Sequence, residues 1–244
     1  MPTNPLVDRQ VPATLPLLQQ GELLIVTARC TLSAPSVAAL NELLSDTDRA
    51  RISRLLRSID RTRAALARIV ARVTLGQWLG LRPSLVSIAL TEAGKPLAPD
   101  GYAVSWSHSG DHVFVAFARG RSIGVDVEEA RRLEDLAELA RTAFSPNEVT
   151  HLLELPPTAR QVAFFRLWVR KEALGKAIGV GLLEPERLGF NLLPDTEPIT
   201  VVDPIDGRTW WTSALPCPAE AYAAVAVDVA PAAMHLRNWE ALRL

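Results

Sequence analysis

Residues 102–127 read YAVSWSHSGDHVFVAFARGRSIGVDV. Side chains alternate with period two from Tyr102 to His108, His112 to Ala118 and Ile123 to Val127, and Gly110-Asp111 and Gly120 stand where turns belong. With Leu85 to Leu90 upstream, set off by Gly94, the stretch predicts an antiparallel meander. Before it, Glu22 to Ala28 reads as a first strand bounded by Gly21. Asp46 or Thr47 opens a helix through Leu56, and a longer helix from about Ile59 carries Leu66, Val70, Val73 and Gln77 at core spacing and stops at Gly80. If the first of these continues, Arg51, Arg54, Arg57 and Arg61 form one stripe.

Beyond the meander, Ser145-Pro-Asn-Glu148 spells a capping box, and Thr158-Ala-Arg-Gln161 spells another that opens a helix running to about Ala177, before Gly179. Leu188 to Leu193, Ile199 to Val202, Arg208 to Ala214 and Tyr222 to Val229 read as strands, with Asp206-Gly207 as a hairpin turn. The order strand, helices, strands, helices, strands argues an α+β protein. No convincing internal repeat is visible in the sequence.

The 244 residues are 48% hydrophobic and 22% charged, which sets disorder aside. Two cysteines, Cys30 and Cys217, support neither a disulfide scaffold nor a structural zinc site, and a reducing cytoplasm is expected. No signal-peptide pattern opens the chain, and the run from Ala221 to Val227 is far short of the roughly 18 apolar residues of a membrane span. The net charge of −1 hides an asymmetry: between Arg49 and Arg72 eight arginines face a single acid, Asp60. Such guanidinium density suits a polyanion, or else a solvated basic face.

On the strand Gly124-Val-Asp126-Val-Glu128 both carboxylates point to one face, where they could share a hard cation such as Mg²⁺. Phe165, Trp168, Glu172 and Lys176 line one face of the later helix, which begins aromatic and turns ionic. Ser107 and His108, at a strand end, could donate to an anion, and Lys95 sits in the turn Gly94-Lys-Pro96. His108 and His112 are separated by a turn and do not form a helical zinc pair; there is no Walker loop, dinucleotide fingerprint or hydrolase elbow. Each feature alone has an ordinary structural explanation. Together, phosphate-seeking cations beside three carboxylates indicate phosphoryl or phosphodiester transfer.

In their order, Gly94-Lys-Pro96, Trp106-Ser-His-Ser-Gly110, Gly124-Val-Asp-Val-Glu128, Phe144-Ser-Pro-Asn-Glu148 and Leu167-Trp-Val-Arg-Lys-Glu-Ala173 with Lys176 and Gly179-Val-Gly-Leu182 resemble the phosphopantetheinyl transferase family, of the longer surfactin-synthetase-activating type. The resemblance covers roughly residues 46–183 and includes Arg49-Ala-Arg51, Asp60-Arg-Thr-Arg63 and Arg72. Thr142-Ala-Phe144 departs from the family pattern. The resemblance implies transfer of the phosphopantetheine arm of coenzyme A to a serine of an apo acyl or peptidyl carrier protein, with release of adenosine 3′,5′-bisphosphate. It implies that Asp126, Glu128 and Glu172 hold Mg²⁺, with Glu172 also able to act as base. Lys176 would meet the pyrophosphate, and Arg51, Arg63, Gly94, Lys95, Pro96, Ser107 and His108 would bind the nucleotide end of coenzyme A. The implied fold is two similar α+β halves, each a small antiparallel sheet packed with helices, with the site between them. Residues 1–120 would form the coenzyme A half and 121–244 the Mg²⁺ and carrier half, in a monomer that binds neither nucleic acid nor membrane. A Mg²⁺-dependent phosphodiesterase acting on nucleotides, or a nucleic-acid-binding module using the arginine helices, is the alternative.

Overall fold

The computed structural model describes residues 15, 17–30, 40–180, 198–218 and 221–239. The chain runs β1 (Glu22–Arg29), α1 (Asp46–Ile52), α2 (Ser58–Leu79), β2 (Ala89–Leu90), β3 (Pro96–Leu97), β4 (Tyr102–Ser109), β5 (His112–Arg119) and β6 (Ile123–Glu129). There follow α3 (Leu136–Ala143), α4 (Pro146–Glu154), α5 (Pro157–Ile178), β7 (Ile199–Val202), β8 (Thr209–Ala214), β9 (Ala221–Val227) and β10 (Ala233–Asn238). The class is α+β, as the element order requires.

Two four-stranded sheets form, one in the order β10-β1-β5-β4 and the other β6-β9-β8-β7, beside a small β2-β3 ribbon. The expected meander is only partly present. β4 and β5 make a tight hairpin, Ser109 pairing with His112 across Gly110-Asp111, but β6 leaves for the second sheet and pairs with β9, Asp126 opposite Ala224. Period two fixes which face a side chain takes, not which strand lies alongside. Leu85 to Leu90 shrinks to β2, and β10, which the sequence pattern does not mark, adds parallel to β1. The Asp206-Gly207 turn joins β7 to β8 with Gly207 at φ 71°. The strand expected at Leu188 to Leu193 lies outside the described residues.

The sheets share an inner core: Leu23, Ile25, Phe114 and Ala116 from the first meet Ile123, Val125, Val127 and Val225 from the second. On the outer face of the first sheet, α2 packs Ala67, Val70 and Val73 with Leu24, Val115 and Phe117. On the outer face of the second, α5 packs Leu167, Ala173 and Leu174 with Ala224 and Ala226. The stack is helix, sheet, sheet, helix, and β4 and β6 lie side by side where its halves meet.

The helix starts and stops correct two expectations. Ser45, not Asp46 or Thr47, caps α1, its hydroxyl accepting from the Asp48 N–H at 3.2 Å. The helix ends at Ile52, so the arginine stripe does not form: Arg61 instead caps the carbonyls of Leu55 and Leu56 at 2.8 and 3.0 Å, where the chain unwinds. The capping box at Ser145 is present, but Thr158 caps nothing; α5 begins earlier, with Pro157 in its first turn behind Pro156. Both long helices end in left-handed glycines, Gly80 and Gly179, as their stop signals require.

Candidate active site

Alternation along β6 sends Val125 and Val127 into the inner core and turns Asp126 and Glu128 outward beneath α5. What lets α5 approach is Gly124: a Cβ there would overlap the Ala173 carbonyl oxygen. That close approach carries Glu172 and Lys176 to Asp126. The Asp126 carboxylate is 3% exposed, and its Oδ1 accepts from Ser107 Oγ at 2.7 Å and from Lys176 Nζ at 2.7 Å. Lys176 Nζ also donates to the Val125 carbonyl at 3.2 Å. Asp126 Oδ2 is buried and has no hydrogen-bond partner among the described residues.

The three carboxylates interact. Burial pushes Glu172 up to about 7; Asp126 and Glu128 add to the rise and Lys176 opposes it. Burial and then Asp126 raise Glu128 in the same way, against hydrogen bonds from Ser109 and the Trp168 side chain. Lys176 faces Asp126 and Glu172, and Arg131 acts on Glu128, yet both glutamates stay above their ordinary values. Among the described residues no three His, Cys, Asp or Glu side chains form a ready metal cage. Mg²⁺ does not ask for one: it takes one to a few carboxylates and completes its shell with waters and substrate phosphates. The partnerless Asp126 oxygen, flanked by two carboxylates held above their ordinary values, fits that open kind of site.

Glu172 and Lys176 open onto a cleft of about 290 Å³ lined by Gly94, Lys95, Pro96 and Trp106. The Gly94-Lys-Pro96 turn is closed by the Thr91 hydroxyl, which accepts from the Lys95 N–H at 3.0 Å, and Gly94 takes φ 83°. Lys95 crosses to the end of α5 and donates to the Ala177 carbonyl, where the helix dipole favours a cation. Its burial lowers its pKa, with Asp228 opposing. A larger hollow of about 430 Å³, lined by Val162, Val169, Leu215, Pro216 and Tyr222, is mainly apolar and holds none of the three carboxylates.

The remaining predicted residues separate. His108 is half-buried on β4; burial lowers its pKa, its own backbone opposes, and the positive charges of Lys176, Arg63 and Arg68 lower it further, which favours the neutral ring. Arg63 pairs with Asp60 at 3.3 Å, with a buried Nε that finds no partner among the described residues. Arg51 is exposed in the last turn of α1. Ser107 gives its hydroxyl proton to Asp126 and does not line the cleft. Sequence reasoning missed Arg68, whose guanidinium sits 5.3 Å over the Trp106 ring and 3.4 Å from Asp48, and the spacing role of Gly124. A glycine inside a β-branched strand was the available signal for the latter.

A sequence model of the 4′-phosphopantetheinyl transferase superfamily matches residues 122–227. The 4′-phosphopantetheinyl transferase HetI of Nostoc sp. strain PCC 7120 is 37% identical over 160 residues, 64% of this chain and 67% of that protein. A phosphopantetheinyl transferase of Thraustochytrium sp. is 30% identical over 161 residues, 59% of this chain and 56% of that protein. The 4′-phosphopantetheinyl transferase Sfp of Bacillus subtilis strain 168 is 30% identical over 144 residues, 58% of this chain and 63% of that protein. The matched stretch thus spans two thirds of one of these relatives and less of the other two. No helix among the described residues is long and apolar enough to cross a membrane.

Proposed function

This chain belongs to the 4′-phosphopantetheinyl transferase superfamily, and on that premise we propose that it transfers the 4′-phosphopantetheine arm of coenzyme A to a serine of an apo acyl or peptidyl carrier protein, releasing adenosine 3′,5′-bisphosphate. The observation that carries the reading is the meeting of Glu172 and Lys176 with the Asp126 carboxylate beside a cleft walled by Gly94, Lys95 and Pro96.

Asp126, Glu128 and Glu172 would hold Mg²⁺, which when bound neutralises the pyrophosphate oxygens and the charge that grows on the leaving group. Lys176 contributes a second positive charge to the same pyrophosphate. Arg51, Arg63, Lys95 and His108 take the nucleotide end of coenzyme A, with Gly94 and Pro96 fixing the turn that presents Lys95, while Ser107, whose proton lies on Asp126, holds that carboxylate instead. Glu172, facing Asp126 at the cleft, accepts the proton of the carrier serine as its oxygen attacks phosphorus. A serine O–P bond forms, the P–O bond to the nucleotide breaks, and the electron pair leaves on adenosine 3′,5′-bisphosphate. Residues 1–120 would supply the nucleotide side and 121–244 the carboxylate side, so one chain suffices as a monomer.

The test is intact-mass spectrometry of an apo carrier protein incubated with this protein, coenzyme A and Mg²⁺. Gain of one phosphopantetheine mass, abolished by EDTA and in Asp126→Ala, supports the reading. Hydrolysis of coenzyme A with no mass gain on any of several carriers would replace it with a phosphodiesterase.

A further inference from the structure

β4 and β6 belong to different sheets, and three alternate serines of β4 bridge the gap between them. Ser105 Oγ accepts from the Val125 N–H at 3.1 Å. Ser107 Oγ donates to Asp126 Oδ1 at 2.7 Å. Ser109 does both: its Oγ accepts from the Glu129 N–H at 3.0 Å and donates to Glu128 Oε2 at 2.8 Å. A hydroxyl has one proton. The Glu129 N–H can only donate to Ser109 Oγ, so that proton goes to the one acceptor in reach, Glu128 Oε2.

A second donor reaches Glu128 from the other half of the site, the Trp168 side chain on α5. Trp168 is itself fixed, stacked 6.1 Å from Phe164 at an interplanar angle of 10°. Glu128 is therefore gripped from two sides by groups with little rotamer freedom. Flexible glutamates at open metal sites lose entropy on ligation, and a neighbour that holds the carboxylate in place beforehand removes that cost.

We propose that Ser109 is a positioning residue which, together with Trp168, holds Glu128 in place for the divalent cation, whereas Ser105 only ties the two sheets. The proposal rests on the reading of Asp126, Glu128 and Glu172 as the cation's holders. It makes the strand pattern Ser105-x-Ser107-x-Ser109 a graded device, with one hydroxyl on backbone, one on a carboxylate and one on both.

The experiment is a Mn²⁺ titration followed by the EPR signal of the free ion, on the full chain with saturating coenzyme A and with coenzyme A alone subtracted. Ser109→Ala is expected to weaken Mn²⁺ binding by about 10–100-fold, the range seen when a ligand's hydrogen-bond partner is removed. Ser109→Thr, which keeps the hydroxyl, should restore it, and Ser105→Ala should bind as wild type does while sharing any loss of melting temperature. Should Ser109→Ala fail to fold, Trp168→Phe removes the other donor, keeps an aromatic ring against Phe164 and is expected to weaken binding in the same direction. Wild-type affinity in Ser109→Ala and Trp168→Phe, or equal weakening in Ser105→Ala, overturns the proposal while leaving the cation site standing. Absence of protein-dependent Mn²⁺ binding in wild type overturns both.

Discussion

The two long helices are built to one plan and used for different ends. In the first half, Ser45 caps α1, and Asp48 in the first turn of α1 pairs with Arg72 of α2, which ends at Gly80. In the second, Ser145 caps α4, and Glu148 in its first turn pairs with Lys171 of α5 at 2.7 Å, before Gly179. Each plan locks a short helix to a long one with a buried ion pair. In α2 the arginine is consumed by that scaffold: Arg72 also donates to the carbonyls of Pro83 and Val86 and to Ser45 Oγ. In α5 the lock falls on Lys171, and the next residue, Glu172, with Lys176 one turn on, faces Asp126. Gly124 beneath α5 supplies the closeness. The lesson is that one architecture gives a scaffold or a reaction site according to whether the charges beyond the lock are committed to it.

The comparison breaks most sharply on activity. Glu172→Gln should lower transfer by about 10²–10⁴-fold, the span of a general base, with folding intact by circular dichroism. Next comes stability. Arg72→Met and Lys171→Met each take from a buried carboxylate its nearest cation, leaving Asp48 with Arg68 and Glu148 with its capping bond, and should cost up to about 3–5 kcal/mol in urea denaturation, with Arg72→Met keeping its turnover per folded molecule. Equal loss of turnover in Arg72→Met would erase the distinction between the helices. Gly124→Ala should push α5 outward and cost about 100-fold in transfer, because a shift on the order of 1 Å suffices for that. The smallest effect concerns pH in EDTA. Glu172 binds its proton more tightly when folded, about 7 against an ordinary 4.5, so this group's contribution favours the folded state below its ordinary value and fades as pH rises through 7. Glu172→Gln should therefore gain in melting temperature over wild type across that window and match it below.

Much of this is legible in the amino-acid sequence. Period two gave β4, β5 and β6 to within two residues, and Gly80 and Gly179 stop their helices where expected. The spacing of Asp126 and Glu128, and of Glu172 and Lys176, placed each pair on one face. Illegible was whatever depends on a distant partner. β6 finds β9 about a hundred residues later, and β10 is mostly exposed, so neither pairing leaves a local periodicity. Arg72 counted as one of eight arginines suited to a polyanion, because sequence shows charge without showing burial, and only the tertiary fold brings Asp48 to it. The repeat of cap, acid, buried cation and glycine was invisible for a related reason: it survives in four scattered positions, of which the cap and the glycine are identical while Asp48 becomes Glu148 and Arg72 becomes Lys171.

The most direct measurement is the mass of an apo carrier protein after incubation with coenzyme A, Mg²⁺ and Asp126→Asn, a variant that keeps the side chain's shape and removes its charge. A folded Asp126→Asn protein that leaves the carrier mass unchanged, beside a wild type that adds one phosphopantetheine, is the predicted result. Transfer by Asp126→Asn at the wild-type rate would contradict the placing of the chemistry on the face that β6 shares with α5.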